Sequence, residues 1–155
     1  MAKAANIGVE TSLQDDVTGL LAEAAAVAAR LYPGEPRRPI TPGSLAAPGI
    51  HVLVARGDGA ALGLCAIIER GDGEVELKRL IVTADARGRG VGSALVRGAE
   101  ALARRLGARA IVLEVGIENR AAQALYRRAG FTPRGPFPPY RDLPVSLFLE
   151  RPVPA

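Results

Sequence analysis

The stretch "DARGRGVGSAL", Asp85 to Leu95, places Gly88, Gly90 and Gly92 among Arg87 and Arg89, directly before a helical pattern. Successive glycines let backbone N–H groups converge with no Cβ in the way. At a helix N-terminus those donors and the helix dipole favour an anion. Arg87 and Arg89 add positive charge, so the guest such a loop would hold is a pyrophosphate. A plain strand-to-helix turn uses the same residue types, and the loop by itself leaves both readings open. Two other nucleotide loops fit poorly. The P-loop needs a lysine after its final glycine, and none follows here. The dinucleotide fingerprint would put its third glycine at Ser93, and the strand before it is entered from a hairpin. Other reactive residues are few. Cys65, in "LGLCAIIE", reads as a core residue, and His51 as a surface or strand-end residue. No Cys/His cluster has metal-ligand spacing, so no metal is expected.

The elements around the loop follow from periodicity. "NIGVETSL" alternates as a first strand. In "SLQDDVTGLLAEAAAVAARLY", Leu13, Val17, Leu20, Leu21, Ala24, Val27, Ala28 and Leu31 mark one buried helical stripe, with Ser12 and Asp15 suited to its start. Pro33 to Gly49 carries five prolines and three glycines and reads as an ordered binding loop, with room for one short helix after Thr41-Pro42. "HVLVAR", "AALGLCAIIE" and "EVELKRLIV" are three strands joined by tight turns, hence antiparallel. After the glycine loop, Leu95, Val96, Ala99, Leu102, Ala103 and Leu106 line one helix face, and Gly107 ends it. The crossover then makes "ARAIVLEVG" parallel to "EVELKRLIV". "NRAAQALYRRAG" is a short helix from Asn119 to Gly130, and "FTPRG" and "VSLFLE" close the chain around "PFPPYRDLP". Leu77 lies three residues before Leu80, while Leu80 and Val82 alternate normally. If all three face the core, one extra residue bulges near Lys78-Arg79 and splays the neighbouring strands.

Composition sets limits. The 155 residues fit a single domain with a sizeable core, and 48% hydrophobic content with a mean hydropathy of +0.15 argues against disorder. No apolar run is long enough to span a bilayer, and no charged start with an apolar core and cleavage site is visible. A lone cysteine fits a reducing cytoplasm. The net charge of +4 and pI near 9.8 admit an anionic ligand, but aromatics at 4% are too few for a base-stacking surface, so nucleic acid is not the expected partner.

The order of elements, together with "RGRGVG" (Arg87 to Gly92) and "NRAAQALYRRAGF" (Asn119 to Phe131), resembles the Gcn5-related N-acetyltransferase (GNAT) superfamily, here a small bacterial member. The resemblance implies an α/β fold over residues 1–155: a mostly antiparallel sheet, one parallel pair splayed at the cofactor site, and helices on both faces. It implies acetyl-CoA as donor and a primary amine of a small molecule or peptide as acceptor, with direct transfer and homodimers common. The family's pyrophosphate loop maps onto Arg87, Gly88, Arg89, Gly90, Val91, Gly92 and Ser93. Its strand pairing with the pantetheine arm maps onto Leu80, Ile81 and Val82, and its helix-start asparagine onto Asn119. Its final-helix tyrosine, often the acid protonating the thiolate, maps onto Tyr126. A glutamate base, where members place one on the bulged strand, maps onto Glu76.

In the resembled fold the Pro-rich loop with Arg37 and Arg38, the proposed bulge with Arg79 and "PFPPYRDLP" with Arg141 approach the acceptor side of the cleft, which makes these arginines candidates for the acceptor. Guanidinium groups bind carboxylate or phosphate bidentately, which points to an amine that also carries an acidic group. Solvated arginines, or pairs with Glu35 and Asp142, are the plainer alternative. A non-catalytic acyl-CoA-binding sensor is the competing function.

Overall fold

The structure, a computed structural model, describes residues 5–31 and 41–155. Seven strands form one sheet: β1 (Asn6–Val9), β2 (Ile50–Gly57), β3 (Ala60–Glu69), β4 (Glu74–Val82), β5 (Ala110–Gly116), β6 (Thr132–Arg134) and β7 (Ser146–Pro152), in the order β1-β2-β3-β4-β5-β7-β6. Every neighbouring pair is antiparallel except β4 and β5. The helices are α1 (Asp15–Leu31), α2 (Val91–Arg105) and α3 (Arg120–Arg128), with short 3-10 turns at Ser44–Ala46 and Ala84–Ala86. This is the expected GNAT acyltransferase architecture, including the parallel pair, the hairpins and the short helix after Pro42.

Strand alternation sorts the core onto two faces. Leu53, Cys65, Ile67, Val75, Leu77, Ile111 and Leu113 point toward α2 and α3, where Leu95, Val96, Ala99 and Leu102 meet them. Val52, Val54, Leu64, Ala66 and Ile81 point the other way, against Val17, Leu20 and Leu21 of α1. A small cluster of Val112, Phe137 and Phe148 with Tyr140 covers the remaining part of the sheet. Two expectations at the first helix change. The helix begins at Asp15, so Leu13 precedes it and is 63% exposed. Ser12 is buried and donates to the Pro42 carbonyl at 2.6 Å, tying the approach to α1 onto the next loop rather than capping the helix.

Gly63 of β3 is a point of close approach. A Cβ there would stand 2.6 Å from the Ile81 carbonyl oxygen and 3.2 Å from Leu95 Cδ1. The missing side chain lets the first turn of α2 seat directly on the sheet, which fixes the glycine loop relative to β4.

Candidate active site

The β4–β5 ladder is short. Glu74, Val75 and Glu76 pair with Ala110, Ile111 and Val112, and the strands then part. The cause lies in β4. Ala66 of β3 faces Lys78, but Leu64, two residues on, faces Ile81, so β4 carries one extra residue. Arg79 absorbs it in the left-handed region at φ +59°, an uncommon conformation for a non-glycine residue. Val75, Leu77, Leu80 and Val82 thereby stay in one cluster while Ile81 enters the other, which is the bulge that the leucine spacing predicts. The gap between the strands holds a cleft of about 640 Å³.

One wall of the cleft comes from Lys78, Arg79, Leu80 and Ile81, and the opposite wall from Glu114, Val115, Gly116, Asn119, Ala122 and Tyr126. Beyond Glu76, the β4 edge facing the gap has no ladder partner on β5. Its backbone donors and acceptors can pair with an extended chain laid in the gap. At the end of β4, Gly90 caps α2 at φ +82° and Gly88 stands at φ +77°, both with open space where a Cβ would stand. Arg87 Nε donates to the Val82 carbonyl at 3.3 Å, and Arg87 and Arg89 are exposed. The loop and Val82 lie past the cleft wall, next to α3: a Cβ on Gly92 would stand 3.0 Å from Leu125 Cδ2. An exposed glycine turn at the N-terminus of a 15-residue helix, adjoining a free strand edge, suits a diphosphate followed by a slender amide arm.

On α3, Asn119 Oδ1 accepts from the Ala122 N–H at 3.3 Å and so caps the helix. Buried Gln123 donates to the carbonyls of Gly116 and Ile117 at 2.8 and 2.9 Å, fastening the turn after β5. Tyr126, two turns along the helix from the cap, is 6% exposed, packs 5.5 Å from the Phe131 ring and lines the cleft. Burial pushes its phenol well above the ordinary tyrosine range, with Cys65 adding to the effect. Cys65 itself is fully buried, its thiol pushed up to about 12 by desolvation, which keeps it a thiol.

The other candidates separate. Glu76 is 4% exposed, and its Oε2 accepts from the Tyr140 hydroxyl at 2.6 Å. Arg70 Nη1 and Lys78 Nζ each lie 3.8 Å from its carboxylate. Glu76 is absent from the cleft wall; Tyr140 stands there instead. Arg79 lines the cleft, Arg141 is exposed and does not line it, and Arg37 and Arg38 lie outside the described residues. His51 Nε2 sits 2.9 Å from Glu69 Oε2, away from the cleft walls. Sequence reasoning missed Tyr140, Glu114 and Ser146. Glu114 Oε2 accepts from Ser146 Oγ at 2.7 Å, and both line the cleft. A charged residue inside the apolar run "IVLEV" was a readable signal for Glu114; Tyr140 in a Pro-rich loop gave none. Among the described residues no group of three His, Cys, Asp or Glu could hold a metal ion.

Residues 21–131 match the model of the acetyltransferase (GNAT) family. Over 148 residues the chain is 41% identical to an IAA acetyltransferase of Azospirillum brasilense, covering 95% of this chain and 97% of that protein. A structure from Klebsiella pneumoniae, described provisionally as an acyl-CoA N-acyltransferase, superposes with a TM-score of 0.82 at 30% identity, covering 96% and 97% of the two chains. Nourseothricin acetyltransferase superposes with a TM-score of 0.61 at 32% identity over 69% of this chain and 67% of that one. The splayed strands, the glycine loop and these likenesses agree: the chain belongs to the GNAT family and is an acetyltransferase.

Proposed function

We propose that this protein is a single-domain, acetyl-CoA-dependent N-acetyltransferase. It would move an acetyl group directly to the primary amine of a small molecule or peptide bound in the same cleft. The observation that carries the reading is the unpaired edge of β4, running between the glycine loop at one end and the Tyr140–Glu76 pair at the other, with Tyr126 on the facing wall of the cleft. Acetyl-CoA supplies an acetyl group already activated as a thioester. Arg87 to Ser93 would hold its diphosphate, Leu80 to Val82 would pair with its arm, and Asn119 would face the arm from α3.

The residues present suit the remaining steps. An ammonium must lose a proton before its nitrogen can attack, and Glu76 is the proposed acceptor of that proton. A backbone N–H beside the bulge would stabilise charge growing on the thioester oxygen. Tyr126 would give a proton to the departing sulfur; its raised pKa keeps the phenol protonated at neutral pH. Lys78 and Arg79 on the cleft wall support an acceptor that carries a carboxylate or phosphate beside its amine. The proposed setting is a bacterial cytoplasm, with no nucleic acid or membrane partner and with homodimers formed by the free protein. Among the described residues no helix is long and apolar enough to cross a membrane.

A screen with purified protein and acetyl-CoA, read by free thiol release and product mass, tests this reading. The panel holds amino acids, their amides, spermidine and, on the strength of the Azospirillum relative's name, IAA. N-acetylation of free amino acids faster than of their amides or of spermidine is the expected result. Acetyl-CoA binding with no transfer to any amine would favour the sensor reading instead.

A further inference from the structure

We infer that the Tyr140 hydroxyl is a catalytic group that carries the acceptor's ammonium proton to Glu76. The inference rests on the amine-acetylation reading above and adds a residue to it. Glu76 is 4% exposed and does not line the cleft, so its carboxylate offers an acceptor there little direct contact. The Tyr140 phenol lies between them. Tyr140 lines the cleft and its hydroxyl donates to Glu76 Oε2 at 2.6 Å. Its ring is held on several sides, with centroids 5.1 Å from Phe137 and 5.8 Å from Phe148, and with Lys78 Nζ 5.3 Å away. A ring so fixed keeps one edge on the cleft and its hydrogen on the carboxylate, the preorganisation proton transfer needs.

The transfer balances without a further reagent. The ammonium N–H hydrogen passes to Tyr140 Oη while the Tyr140 hydroxyl hydrogen passes to Glu76 Oε2. This leaves a neutral amine, an intact phenol and a carboxylic acid. The amine nitrogen then bonds to the acetyl carbon and the carbon–sulfur bond breaks; the sulfur takes the Tyr126 phenol proton, and the acylated nitrogen gives up its second proton, which restores the Tyr126 phenol. Glu76 returns its proton through Tyr140 to solvent. The phenol is a conduit and not a store: desolvation, the Glu76 hydrogen bond and the Glu76 and Glu114 charges all raise its pKa, against a smaller lowering by Arg79. It therefore never rests as a phenolate at neutral pH. The charged groups facing Glu76 are Arg70 and Lys78, each 3.8 Å away, and they compensate its burial. Glu114 is the rival base. It meets the cleft directly, with Ser146 on its Oε2.

Two measurements decide. The first is single-turnover kinetics with the fastest amine of the amino acid, amide and spermidine panel. Tyr140→Phe keeps the ring and removes only the hydroxyl. It should slow the chemical step by roughly 10²-fold, as should Glu76→Gln, with acetyl-CoA affinity unchanged. The double variant should be no slower than the slower single variant by more than about twofold, because both residues serve one path. Losses that multiply, or an unslowed Tyr140→Phe while Glu114→Gln is inactive, would overturn the relay and leave the acetyltransferase reading standing. A wild-type protein that acetylates no amine removes both. The second measurement needs no acceptor. The Tyr140 phenol, assigned in an ultraviolet difference titration by its loss in Tyr140→Phe, should ionise at lower pH in Glu76→Gln than in wild type. An unmoved titration would show that the phenol and carboxylate are not coupled, and the relay would fail.

Discussion

Tyr126 and Tyr140 face one cleft from α3 and from the loop before β7, with different partners. Tyr140 is committed to Glu76, whereas Tyr126 sits on α3 beside the fold's buried cysteine and Phe131. Of these two tyrosines, Tyr126 is therefore the one left for the proposed protonation of the leaving sulfur. Tyr126→Phe preserves the packing against Phe131 and should lower turnover by roughly 10²-fold with little change in acetyl-CoA affinity. Stopped-flow detection of the released thiol, under conditions where chemistry limits the rate, checks this; undiminished turnover would make Tyr126 a packing residue. Asn119 belongs to the same α3 scaffold. Asn119→Ala removes the helix cap and should cost about 1 kcal/mol of stability in urea unfolding.

At the scale of elements, the glycine loop and the bulge act together, since one offers N–H donors and the other a free strand edge. The loop's part can be isolated by charge. Gly90 stands at φ +82° with open space around it, so any side chain there pays backbone strain but no collision. Asn tolerates that conformation and is nearly the shape of Asp. Gly90→Asp should therefore lose acetyl-CoA binding by at least tenfold more than Gly90→Asn in calorimetry. Equal losses would mean the loop is a turn only. Gly63 poses the opposite problem. Gly63→Ala puts a Cβ 2.6 Å from a backbone oxygen that no rotamer can move, and should destabilise by about 1–3 kcal/mol in urea unfolding. Much of this scale was legible in the sequence because it is periodic. The leucine spacing in "EVELKRLIV" located the bulge, and "RGRGVG" located the helix start. Ser12 was misread because its partner, the Pro42 carbonyl, lies 30 residues on. The Tyr140–Glu76 contact spans 64 residues, and no local pattern encodes a meeting that depends on the sheet placing β7 beside β5.

At the scale of the whole molecule, pH tests how burial and charge hold the fold. Arg56 on β2 clamps Glu10, after β1, at 2.7 Å, together with Asp16 at the start of α1 and Gln14 at 3.1 Å. Its hydrogen bonds hold the Glu10 and Asp16 carboxyls below their usual 4.5 and 3.8. A lowered folded pKa gives stability that is present above the ordinary value and lost as pH falls through the folded one. These pairs are partly exposed, so the acid limb should be shallow and salt-sensitive. The alkaline limb has the opposite sign and an internal source. The Cys65 thiol moves from 9.0 to about 12 on folding, so above pH 9.0 the unfolded chain releases a proton that the fold retains. Stability should then fall by up to about 1.4 kcal/mol per pH unit, beginning before the tyrosines ionise. Cys65→Ala removes that proton. The variant should be less stable than wild type at pH 7, through lost packing, yet show a flatter decline between pH 9 and 10 in urea unfolding. Parallel declines in the two proteins would show that the thiol ionises as easily inside the fold as in water, and that its side of the sheet admits solvent.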